Sequence, residues 1–127
     1  MIFGIGTDIL RVDRVAAVYE RFGARFVERL LMPDEQELFS HSKNPVRFLA
    51  MRFAAKEAVM KALGTGLRGF SWADMEISRD SLGKPLVTLT GVAREKAIDQ
   101  GITEIIISLS FSRGNAIAAA VALNAKD

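Results

Sequence analysis

Residues 52–66 read RFAAKEAVMKALGTG. As far as Gly64 the run has the composition of a helix, and it is apolar on almost every side. Phe53, Ala54, Ala55, Ala58, Val59, Met60, Ala62 and Leu63 leave little room for a solvated face. A helix apolar all round is a buried helix, so the stretch predicts a long central helix on which the rest of the chain packs. Yet Arg52, Lys56, Glu57 and Lys61 lie on it too. Charges in such a setting must be paired, hydrogen-bonded or bound to a metal, because burying them bare is costly. The charges therefore need more explanation than the apolar residues.

Working outward, Asn44-Pro45 supplies a start for this helix and Gly64 its stop. The GTG at 64–66 is by default a helix C-cap and turn. It is not a phosphate loop of the Walker type, because its glycines follow the helix and no GK[ST] accompanies them. Upstream, IFGIGTDIL reads as a short apolar strand broken by Gly4 and Gly6, with Asp8 at its end. Residues 11–29 have helical spacing (Val12, Val15, Val18, Tyr19, Phe22, Phe26), interrupted at Gly23. Pro33 with Asp34, Glu35 and Glu37 marks another helix start, ending near Ser40. Downstream, TGLRGF is a loop. MEISRD and LVTLT are strand-like runs around a turn at SLGKP, the second beginning just after Pro85. A short helix runs from Gly91 to Gln100. EIIISLSFS and AIAAAVALN flank Arg113-Gly114-Asn115, a hairpin signal. Alanine-rich AIAAAVAL has helical propensity, but its shortness and the preceding turn make it a strand. Helices come early and strands late. The expected fold is thus α+β, a single domain over 1–127 with a long buried helix packed on a largely antiparallel sheet.

The chain has 127 residues, half of them hydrophobic, and a net charge of +2. That is an ordinary globular balance for one domain. No apolar run approaches the roughly 20 residues needed to span a bilayer, and the N-terminus lacks the basic region and cleavage site of a signal peptide. There are no cysteines, which excludes disulfides and thiolate metal sites. With a single histidine, His41, a zinc site is disfavoured. A hard cation on carboxylates is compatible with the composition, and a cytoplasmic location is expected. The basic residues are uneven: residues 11–29 hold five arginines and residues 47–61 hold Arg47, Arg52, Lys56 and Lys61 against Glu57 alone. Two basic segments on a near-neutral chain suggest an anionic ligand or an acidic partner.

Glu57 and Lys61 share a helix face, and on an exposed helix they would form an ordinary i,i+4 ion pair worth a few tenths of a kcal/mol. Arg52 and Lys56 form a like-charged pair at the same spacing, relieved by an anion between them. The functional reading is a carboxylate holding a divalent cation with Lys and Arg binding phosphate around it. Asp8 is equally readable as a helix N-cap. It gains meaning if it meets Glu57 in space, since two carboxylates suit magnesium, which keeps waters and takes phosphate oxygens as its other ligands.

GIGTDIL, then RFAAKEAVMKALGTG on a helix, then LGKP in a turn resemble the holo-[acyl-carrier-protein] synthases, the short bacterial-type 4′-phosphopantetheinyl transferases. The resemblance spans essentially the whole chain, and F-A-A-K-E-A-x-x-K-A-L-G is its specific part. It implies transfer of the phosphopantetheine arm of coenzyme A to a serine of apo-acyl carrier protein, in support of fatty acid biosynthesis. By motif, Asp8 and Glu57 would bind Mg2+ and Lys61 the pyrophosphate. Arg52, Gly64, Thr65, Gly66, Lys84 and Pro85 would be further coenzyme A contacts. Arg14, Arg21 and Arg25, with Phe26 as an apolar contact, would dock the acidic carrier protein. The resemblance also implies a homotrimer with sites between subunits.

One departure stands out. Many members carry a histidine in the strand before the final hairpin, where this chain reads Ser108-Leu109-Ser110-Phe111. Phe111 can neither bind phosphate nor move a proton, and Arg113 is a candidate replacement. Lys56 is left with either the ligand or a carboxylate of a neighbouring subunit. Two alternatives remain open: the same chemistry on a carrier domain of secondary metabolism, and a non-catalytic module using the arginines on an acidic partner. No nucleic-acid motif supports the latter on DNA or RNA.

Overall fold

A computed structural model of the chain describes residues 1–64, 69 and 71–125. The 19-residue helix α4, Pro45–Leu63, is the axis of the fold. Its first turn is closed by Asn44, whose side-chain oxygen accepts from the Arg47 N–H at 3.3 Å, and by proline at the first helical position. Gly64 ends it at φ 77°, a left-handed value that glycine adopts without strain, and its N–H donates to Met60 and Lys61.

Three long strands lie beneath α4. They are β1 (Ile2–Arg11), β4 (Ile102–Ser112) and β5 (Asn115–Asn124), in the order β1-β5-β4 and antiparallel throughout. The alanine-rich segment is the central strand. Its alternation explains why propensity loses: Ala116, Ala118, Ala120 and Ala122 are all buried against the helix. Their small side chains face Ala54, Ala55, Ala58 and Ala62 of α4, also buried. A strand whose one face must fit a closely approaching helix is selected by packing, which overrides the intrinsic preference of alanine.

The first strand repeats the device with glycine. A Cβ on Gly4 would collide with the Ala62 carbonyl and one on Gly6 with the Ala58 carbonyl. These glycines therefore do not break the strand, as the sequence suggested. They let β1 run ten residues directly under α4, with one irregularity between Ile2 and Gly4. Asp8 is accordingly inside the strand, opposite Ala118, rather than at its end.

Around this layer pass α1 (Val12–Phe22), α2 (Ala24–Leu30) and α3 (Pro33–Ser40), with Gly23 separating the first two. A 3-10 turn, Trp72–Asp74, leads into β2 (Met75–Arg79), which pairs with β3 (Pro85–Leu89) in a second, two-stranded antiparallel sheet. Helix α5, Gly91–Asp99, precedes β4. The late strands thus form two sheets, because β1 takes the edge beside β5.

The face of the large sheet turned away from α4 is apolar and is left uncovered among the described residues. Ile5, Val121 and Ile106 lie in register across it, and Ile9 faces Ile117. Ile5 is 63% and Ile9 67% exposed.

Candidate active site

The close approach of β1 to α4 decides the local chemistry. It brings the inward-facing Asp8 against the last turn of the helix, where Lys61 stands. The Lys61 ammonium donates to the Thr7 carbonyl at 3.0 Å and to Asp8 Oδ1 at 3.2 Å. Asp8 is sheltered, its side chain 16% exposed, whereas Lys61 is 56% exposed. The pair is therefore open to solvent on the lysine side. Asp8 is not an N-cap, since α1 begins after Arg11 with no side-chain cap.

Glu57 lies one turn before Lys61 on the same helix. The ordinary ion pair between them is replaced: among the described residues, Lys61 is bonded to Asp8 and Glu57 to Trp72. The indole N–H of Trp72 donates to Glu57 Oε2 at 2.7 Å. No other donor reaches the Glu57 carboxylate among the described residues. Asp8 and Lys61 thus meet where the first strand crosses the helix, with Glu57 one turn earlier on α4.

The other two cations of α4 have a separate destination. Lys56 is fully buried, at 0% exposure. Its ammonium donates to Glu35 Oε1 and to the Leu30 carbonyl, each at 2.6 Å, and to the Trp72 carbonyl at 3.2 Å. Arg52, also buried, has Nε 3.2 Å from Glu35 Oε2 and its guanidinium over the Phe48 ring. The Nε contact is ionic rather than an aligned hydrogen bond. Glu35 further accepts the Met32 and Ile77 backbone N–H groups. Burial pushes the Lys56 ammonium and the Arg52 guanidinium down from their usual ranges, and Glu35 pulls both back up. Lys56 thus pairs with a carboxylate of its own chain and has no capacity left for a ligand or a neighbouring subunit. Glu35 was legible only as a first-turn acid of α3; that it reaches the centre of the protein depends on how α3 packs.

The arginines proposed for docking are exposed on α1 and α2: Arg14, Arg21 and Arg25. Arg25 and Arg29 rim a cavity of about 660 Å³ whose lining includes Phe22, Phe26, Phe53 and Trp72. Phe26 is buried and forms its floor, while Phe22 is half exposed and presents the apolar surface. Trp72 belongs both to this cavity and to the Glu57 contact. The sequence offered no sign of that role, because a lone tryptophan after a loop reads as core.

A second cavity, about 630 Å³, is lined by Arg47, Arg52 and Arg79 together with Phe48 and Met51. Arg47 also lies over the Phe111 ring, its Cζ 3.7 Å from the centroid. The cation beside Phe111 is therefore Arg47 from the start of α4; Arg113 occupies the hairpin turn at φ 51°. Lys84 and Pro85 lie at the β2–β3 turn, where the Lys84 N–H donates to Asp80. No hydrogen bond or ion pair joins Arg52, Lys84 or Pro85 to Asp8, Glu57 or Lys61 among the described residues. Gly64 caps the helix; Thr65 and Gly66 lie outside the described residues. His41 pairs with Glu37 at 3.0 Å on the surface.

Residues 4–121 match the model of the 4′-phosphopantetheinyl transferase superfamily. The holo-[acyl-carrier-protein] synthase of Vibrio cholerae is 48% identical over 122 residues, covering 95% of this chain and 97% of the relative. Among solved structures, that of the Neisseria meningitidis holo-[acyl-carrier-protein] synthase superposes with a TM-score of 0.92 at 40% identity, over 98% of this chain and 100% of the other. The Helicobacter pylori enzyme in complex with coenzyme A gives a TM-score of 0.80 at 36% identity, over 94% of this chain and 99% of the other.

Proposed function

This chain belongs to the 4′-phosphopantetheinyl transferase superfamily, among the holo-[acyl-carrier-protein] synthases, and is a transferase; from that premise we propose that it moves the 4′-phosphopantetheine arm of coenzyme A to a serine of apo-acyl carrier protein. The second product is adenosine 3′,5′-bisphosphate. We read residues 1–127 as one transferase domain, acting in the cytoplasm in support of fatty acid biosynthesis. The observation that carries the reading is the contact of Asp8 with Lys61 where β1 crosses α4, one helical turn from Glu57, in a chain matched to such synthases over nearly its whole length.

The donor set fits magnesium. Asp8 and Glu57 offer hard carboxylate oxygens, and the Lys61 ammonium against Asp8 supports the view that positive charge is favoured there. No group of three or more His, Cys, Asp or Glu side chains gathers at one point among the described residues. A site of two carboxylates suits an ion that completes its shell with water and substrate phosphates. When bound there, the ion would offset charge on the pyrophosphate oxygens.

The chain's own residues do the rest. Lys61 is exposed enough to meet the pyrophosphate and place a positive charge where the leaving group develops negative charge. Glu57 offers its carboxylate to the same cation from one turn earlier on α4. Phosphoryl transfer needs chiefly positioning and charge stabilisation, which these groups supply. Gly64, Thr65, Gly66, Lys84 and Pro85 complete the coenzyme A contacts in this reading. Arg52, with Arg47 and Arg79, lines a second cationic surface for the anionic nucleotide end. Arg14, Arg21 and Arg25 beside Phe22 and Phe26 receive the acidic carrier. The apolar outer sheet face supports a homotrimer with sites between subunits, since a face of that kind marks an interaction surface.

The test is mass spectrometry of apo-acyl carrier protein incubated with this protein, coenzyme A and magnesium. One phosphopantetheine arm adds about 340 Da. An unmodified competent carrier refutes the reading, and salt-sensitive carrier binding without transfer would identify a docking module instead. Rates across fatty-acid and secondary-metabolism carriers assign the acceptor.

A further inference from the structure

Trp72 is the only tryptophan of the chain, and the reaction as described gives it no task. It is held at three points. Its indole N–H donates to Glu57 Oε2 at 2.7 Å. Its carbonyl accepts the Lys56 ammonium at 3.2 Å. Its ring packs on Phe53 with centroids 5.0 Å apart. Lys56 is in turn fixed by Glu35 and the Leu30 carbonyl. The backbone of Trp72 is thus tied to a buried ionic network, and the indole it carries is aimed at one oxygen of a partly buried glutamate.

A glutamate on a helix surface has three rotatable bonds and many orientations. A hydrogen bond from a packed ring selects one of them. Groups that orient a metal-binding side chain in this way commonly change metal affinity or activity by about 10–100-fold when removed.

We propose that Trp72 is the positioning residue of Glu57: it occupies Oε2 and so presents Oε1 to the magnesium and pyrophosphate. The buried Lys56–Glu35 pair serves the site at one remove, by fixing the turn on which Trp72 stands. The inference rests on the proposed function, because it takes Glu57 to be a cation ligand.

Calorimetric titration of coenzyme A over a series of magnesium concentrations tests it, on the wild-type protein and on Trp72→Phe. Phenylalanine keeps a ring against Phe53 and removes only the donor. The expected result is a magnesium requirement for half-maximal binding raised about tenfold or more, with turnover recovering toward wild type as magnesium saturates. A requirement equal to wild type overturns the proposal, and so does a turnover loss that excess magnesium leaves unrestored. If wild-type protein itself binds coenzyme A identically with and without magnesium, the metal reading falls first, a result distinct from the other two. Should Trp72→Phe fail to fold, the wild-type protein supplies the test. Magnesium with coenzyme A should change the emission of Trp72, and Glu57→Gln should remove that response. Emission indifferent to both ligands overturns the proposal.

Discussion

Lys56 and Lys61 stand five residues apart on one helix and end in opposite surroundings. Lys56 is sealed in the core with Glu35, two carbonyls and no solvent. Lys61 is more than half exposed, leaning on Asp8 from the neighbouring strand. Both are cations on an apolar helix, and both obey the rule that such charges need partners. They differ in what the partner leaves over. Glu35 and the carbonyls consume all three donors of Lys56, whereas Asp8 and Thr7 leave Lys61 able to meet a further anion. A saturated buried cation holds the fold together; an unsaturated one at the surface is available for chemistry. Arg52 shares Glu35 with Lys56 yet also lines the second cavity, and Glu57 goes with Lys61.

Substitutions on either side should separate cleanly. The largest effect is expected at Glu57→Ala, which should lower transfer by roughly three orders of magnitude, the scale of losing charge stabilisation at a reacting centre. Its thermal unfolding should stay close to wild type, and a variant that transfers normally would remove Glu57 from the site. Next comes Glu35→Ala. Two buried cations lose their counterion, so denaturant unfolding should show a loss of about 3–5 kcal/mol. Replacing Glu35, Arg52 and Lys56 together by apolar residues of similar size should recover most of it; a triple variant as unstable as the single one would mean that the network does more than satisfy itself.

Lys61→Ala should reverse that pattern, lowering kcat/KM about a hundredfold with stability within about 0.5 kcal/mol of wild type. A large stability loss there would break the distinction between the two lysines. The smallest effect is expected at Arg25→Glu on the docking face. It should raise KM for the carrier about tenfold, more at low salt, with kcat retained. A fall in kcat alone would place Arg25 nearer the chemistry than the docking cavity.

Much of this was readable in the chain. The burial of 52–63, the stop at Gly64, the helix start at Pro33 and the final hairpin all follow from local rules of periodicity, capping and turn formation. Asp8, Glu57 and Lys61 were nameable as candidates from residue type and motif. The contact of Asp8 with Lys61 was not, because the distance between β1 and α4 is set by what is missing from Gly4 and Gly6. The same glycines misled the local reading, which took them as breaks in a strand. Glu35 and Trp72 escaped for a different reason. Each is ordinary in its own segment, an acid in a first helical turn and an aromatic after a loop, and each acquires its role from a helix far off in sequence.

The sequence alone determined that charges on an apolar helix must find partners, since desolvation is a property of residue type and burial. Which partner each charge found was decided by tertiary structure. Lys56 and Lys61 are the same residue on the same helix, and only the elements packed against each side distinguish them: α3 brings Glu35 to one, and β1 brings Asp8 to the other. Pairing energies fall off over a few ångströms, so the three-dimensional neighbour, not the sequence neighbour, assigns one charge to stability and the other to function.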